Sequence, residues 1–101
     1  MTYGEHNKTV AKAQAAYEAV SSLLCKTAIA AGHGNIVGSE LRKMPEYVGL
    51  YTQLAVCENK LCFAERAAVE DHCAYYENGR FHWYSQKDAN RFRRNAAKRV
   101  A

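Results

Sequence analysis

Three residues seven apart, Glu58, Glu65 and His72, are the nearest this sequence comes to a polar constellation that could move protons or hold a metal. Read on one helix, they fall near the middle of its apolar face. Their spacing argues against a shared ion: residues seven apart on a helix are separated by about 10.5 Å, whereas bundle metal sites set Glu-x-x-His pairs on facing helices. The first helix offers Glu18 and no inward histidine to complete such a site. Internal pairing with Lys26 or another cation, or a solvated groove, is the reading for these groups.

The cysteines give no stronger signal. Cys57-x4-Cys62-x10-Cys73 contains no C-x-x-C pair, and a helix turns Cys57 away from Cys62, so zinc is disfavoured. Cys62 and Cys73 on one helix would lie about 16 Å apart along its axis, too far to bridge. A cysteine nucleophile needs a lowered pKa and an oriented histidine, and on a helix His72 points elsewhere than the adjacent Cys73. With Cys25, the four read as reduced, structural thiols. Gly32-His33-Gly34-Asn35-Ile36-Val37-Gly38 has the glycines of a phosphate loop, but it follows a helix where a dinucleotide fingerprint must follow a strand. No catalytic residue, metal or cofactor is assigned, and the chain reads as non-enzymatic.

Charge is the informative feature. Residues 78–101 hold Arg80, Lys87, Arg91, Arg93, Arg94, Lys98 and Arg99 against Asp88 alone, a net of +6, while the other 77 residues sum to −2. Lys87, Arg91, Arg94 and Lys98, spaced four, three and four, form one helical ridge about 16 Å long. Such a row matches a run of phosphates or a line of carboxylates on a protein, the bland reading being a solvated face that keeps the chain soluble. Just before it lie Tyr75, Tyr76, Phe81, His82, Trp83 and Tyr84, including the one tryptophan. Exposed aromatics beside cations stack bases or anchor interfaces. Alternatively, Phe81 and Trp83 staple the third helix to the end of the second.

These groups must be positioned by helices. Val10, Ala13, Tyr17, Val20, Leu24, Thr27 and Ala31 recur three and four apart, predicting a first helix over 7–31, stopped by Gly32 and Gly34. A connection that includes a short turn of helix from Ser39 leads to Pro45, which suits a first helical position. Leu50, Leu54, Cys57, Leu61, Ala64, Ala68 and Tyr75 then predict a second helix over 46–77, ended by Asn78-Gly79 and overhanging the first. Ser85 as N-cap, with Asp88 in the capping-box position, opens a third helix over 86–100 with Ala89, Phe92, Ala96 and Val100 on one stripe. An extended piece around Phe81 and Trp83 finds no partner in this scheme. The expected fold is all-α: one domain, an antiparallel hairpin of two long helices with a short basic C-terminal helix, completed by that stripe or by dimerisation.

At 101 residues the chain is one small domain, and its apolar content is too high for disorder. No stretch approaches the roughly 20 apolar residues of a membrane span, and residues 1–6 lack a signal-peptide pattern, so a cytoplasmic protein is expected. A long helix and an aromatic connection before the basic helix do not fit a helix-turn-helix reader. The expected partner surface is Arg80, Trp83, Tyr84, Lys87, Arg91, Arg94 and Lys98, docking on an acidic face of a nucleic-acid-processing complex to inhibit or modulate it. Only size and character liken the chain to small phage and mobile-element accessory factors. DNA or RNA as the direct ligand, and a structural homodimer or larger helical oligomer, are the alternatives.

Overall fold

The computed structural model describes residues 1–30 and 43–100. Their elements are α1 (Tyr3–Ala30), α2 (Pro45–Glu70), β1 (Ala74–Glu77), β2 (Arg80–Trp83) and α3 (Gln86–Val100). The glycine-rich stretch, the expected turn from Ser39 and the end of α1 at Ala31 lie outside the described residues, as does the side chain of Val100.

Each helix start follows from local chemistry. Thr2 caps α1: its hydroxyl accepts from the Glu5 amide at 3.1 Å and its carbonyl from the His6 amide at 3.0 Å. The helix therefore begins four residues before Asn7 and takes in His6. Pro45 opens α2, and Ser85 caps α3 by accepting from the Asp88 amide at 3.2 Å. The Asp88 carboxylate is 3.5 Å from Arg91.

The main departure from an all-α chain is at the end of α2. This helix stops at Glu70, short of Glu77, in a Schellman motif: the Cys73 amide donates to the Ala68 carbonyl at 2.9 Å and the His72 amide to Val69 at 3.0 Å. His72 occupies the left-handed position usually held by glycine, with φ of 62°. Residues 74–77, which the seven-residue spacing reads as helix, instead pair antiparallel with 80–83. They are the partner that the extended piece around Phe81 and Trp83 required. Asn78 and Gly79, with φ of 52° and 74°, form a two-residue type I′ hairpin turn. The Tyr84 amide donates to the Cys73 carbonyl at 3.0 Å and adds a rung beyond Ala74↔Trp83. With 28 residues in α1 and 26 in α2, the second helix is not the longer of the two over the described residues, against the expected lengths.

Two compact units divide the described chain. In the unit of residues 1–11 and 62–101, Ala68, Cys73 and Ala74 are buried beneath Tyr3, Val69, Phe81 and Trp83. Small residues at the centre let backbones approach while rings close over them. Trp83 meets Tyr3 and Phe81 edge-on, at centroid distances of 5.8 and 5.0 Å. Ala89 of α3 is fully buried, and Arg93 reaches the Met1 carbonyl at 2.8 Å. In the unit of residues 12–61, the seam positions Tyr17, Val20, Leu24 and Thr27 of α1 and Leu50, Leu54 and Cys57 of α2 are half-buried, as their spacing predicts. Leu23, Ile29, Val48, Tyr51 and Val56 in that unit are exposed.

Candidate functional site

Helix α3 sorts its residues by angle. With Ala89 against the core, a rotation of about 100° per residue puts Lys87, Arg91, Arg94 and Lys98 on the opposite side. All four are exposed. Arg91 has two local neighbours, Asp88 at 3.5 Å and the Phe92 ring, whose centroid lies 5.0 Å from the guanidinium carbon. An exposed pair of that kind contributes about 0.3–0.5 kcal/mol, too little to withhold Arg91 from a partner. Arg93, on the core-facing side and half-buried, is a structural tie to Met1 rather than part of the ridge.

The other expected surface residues divide. Arg80 is exposed and pairs in register with Glu77 across the hairpin. Trp83 is half-buried and turned to the core cluster, where it covers the end of α2; the ring that meets α3 is that of Tyr84, against Phe92. Tyr84 is held from three sides. Its carbonyl accepts from the Tyr3 hydroxyl, its amide donates to Cys73, and its ring lies between Tyr75 at 4.6 Å and Phe92 at 4.7 Å. His82 stacks on Tyr75 at 5.3 Å, so four rings run from the hairpin onto α3, ending where Arg91 meets Phe92.

Beside this row is a groove of about 540 Å³, lined by His72, Tyr84, Phe92, Asn95, Ala96 and Arg99. The sequence reading did not find it. Phe92, Asn95, Ala96 and Arg99 do stand three and four apart on one flank of α3, which was the available signal. The contributions of His72 and Tyr84 depend on where α2 ends.

The polar constellation read from the sequence is not what the fold builds. Glu58 is exposed, Glu65 accepts from the Tyr76 hydroxyl at 3.2 Å, and His72 lies past the helix end, so the three do not share a helical row. The inward histidine thought absent from the first helix is His6, 2% exposed, whose Nε2 is 2.5 Å from an Asp71 carboxylate oxygen. The His6 hydrogen bond draws the Asp71 carboxyl below its ordinary value of 3.8, against the opposing effect of burial and helped by the His6 charge. Nearby, Cys73 is fully buried and its thiol is pushed up, by burial first and by Asp71 among the lesser causes, with Arg93 opposing. That setting makes a poor nucleophile. Of the other cysteines, Cys25 and Cys62 are exposed and Cys57 half-buried, so the buried structural role belongs to Cys73 alone. Burial and the Glu65 carboxylate likewise push the Tyr76 phenol up. Among the described residues, no three His, Cys, Asp or Glu side chains are grouped to hold a metal, and no helix is long and apolar enough to cross a membrane.

Comparison of the chain with protein-family models, curated proteins and solved structures finds no match in any of the three.

Proposed function

We propose that this chain is a small binding protein without chemistry of its own, which docks the basic ridge of α3 on an acidic face of a nucleic-acid-handling protein and acts by occlusion. The observation that carries the reading is the ridge itself. Four exposed cations line the outer side of a helix that is fixed by the Ser85 cap, the buried Ala89 and the Arg93 tie to Met1. The only acid on that helix, Asp88, already faces Arg91. A preorganised row of cations binds an anionic surface with less ordering cost than a flexible tail.

An acidic protein is favoured over nucleic acid because the cations are few and carry no recognised nucleic-acid motif. Trp83 and Phe81 cover the core and Tyr84 is flanked by two rings, so of the aromatic cluster Tyr76 is the ring left exposed. Charge on the ridge provides attraction and fast encounter, with specificity left to the groups beside it. One alternative has an observation of its own: exposed Leu23, Ile29, Val48, Tyr51 and Val56 on the two long helices favour self-association.

Anisotropy titrations of labelled polyglutamate, duplex DNA and single-stranded RNA at ~50 and ~200 mM salt test the reading, since phosphate contacts lose most of their affinity over that range. Binding to polyglutamate in preference to either nucleic acid supports it. Tight, salt-steep binding to DNA or RNA alone replaces it with a nucleic-acid accessory role. Sedimentation at several concentrations, with a robust oligomer and no binding to any probe, replaces it with a structural one.

A further inference from the structure

We propose that the groove beside the ridge receives one aromatic side chain from an acidic peptide segment of the partner. This deepens the docking reading and rests on it. The floor, taken as the half-buried part of the lining, is apolar: Tyr84, Phe92 and Ala96. The rim, taken as its exposed part, is polar and carries the Arg99 guanidinium beside Asn95 and His72. At about 540 Å³ the groove falls within the range of ligand sites. Being open to solvent rather than enclosed, it suits a ring inserted from a passing chain better than a free metabolite needing enclosure.

Its walls are set before a partner arrives. Tyr84 is fixed by hydrogen bonds at its amide and carbonyl and by rings on two sides. The backbone of His72 is locked by the Schellman hydrogen bonds, and Phe92 is held between Tyr84 and the Arg91 guanidinium. A rigid apolar slot with a rotamer-restricted floor is the usual seat of an interface anchor.

Charge selects the occupant. Arg99 stands on the groove's rim and Arg91 on the side of Phe92 toward the ridge, so carboxylates flanking an inserted ring meet guanidinium groups. Guanidinium binds carboxylate in a two-pronged geometry that adds direction to attraction. A basic or purely apolar peptide would leave these cations without a counterpart.

The probe is a fluorescein-labelled decapeptide of Asp and Glu with one central Trp, beside an identical peptide with Ala at the centre and a single-stranded oligonucleotide, all at ~50 mM salt. The Trp peptide is expected to bind at least tenfold more tightly than the Ala peptide, about 1.4 kcal/mol. Ala96→Leu, which fills the slot, should erase that difference and leave the Ala peptide's affinity unchanged. Amide shift mapping on the unmodified protein keeps the test independent of how the variant folds: His72, Tyr84, Asn95 and Ala96 should move with the Trp peptide and not with the Ala peptide. Equal affinities, with shifts confined to Lys87, Arg91, Arg94 and Lys98, would overturn the groove proposal and leave ridge docking standing. No binding of either peptide, or binding of the oligonucleotide alone, would overturn both.

Discussion

His72 combines two demands that pull in opposite directions. Its φ of 62° is a conformation that costs a non-glycine residue about 1–2 kcal/mol, partly offset by the lower chain entropy it has to lose, while its side chain lines the groove. His72→Gly should therefore raise stability by about 0.5–1 kcal/mol in urea melts while weakening binding of the Trp peptide. The pairing of buried His6 with half-exposed Asp71, at the other side of the same turn, gives a pH dependence. Asp71 has a folded pKa below its ordinary 3.8, so its ionised form favours the folded state. That contribution is fully present above 3.8 and is lost as pH falls from there through the lower folded value. Asp71→Asn should flatten the acid limb of a stability profile taken between pH 2 and 6. His6→Ala removes a fully buried ring and the hydrogen bond to a charged group, and should cost about 2–3 kcal/mol at pH 7.

At the level of elements, the hairpin decides the architecture. Gly79 with φ of 74° has open space around its missing side chain, so Gly79→Ala tests backbone conformation alone and should cost about 1 kcal/mol in a thermal melt. Trp83→Ala strips the cover from Ala68, Cys73 and Ala74 and should cost about 3–4 kcal/mol, with affinity for polyglutamate unchanged under conditions where the protein remains folded. A melt that does not move would show that Trp83 is no such cover. The three helices and the outward ridge were legible in the sequence because apolar and basic residues repeat three and four apart and Ser85 marks a start. The end of α2 was not legible. Tyr75 continues the seven-residue series of Leu54, Leu61 and Ala68, and no glycine stands at the helix terminus, since His72 takes that position. Asn78-Gly79 then serves two readings, helix stop and hairpin turn, and only pairing of 74–77 with 80–83 separates them. The groove and the His6–Asp71 pair stayed hidden for the same reason, because each needs a residue from the turn at the end of α2.

Taken as a whole molecule, the chain separates stability from recognition along one helix: α3 contributes Ala89 to the core on one side and its cations to solvent on the other. Reversing both Arg91 and Arg94 to Glu should abolish polyglutamate binding and shift the melting temperature by less than about 2 °C, because exposed charges contribute little to folding. The ties that seat this helix also set when it becomes available. Arg93 to the Met1 carbonyl and Tyr84 to Tyr3 join groups 92 and 81 positions apart. Closing a segment of that length carries an entropic cost of about 2 kcal/mol more than closing one a tenth as long, and contacts of such span slow folding. During synthesis, then, the first turn of α1 must wait for residues 84 and 93 to emerge before its partners exist, and until they do the ridge has no seat.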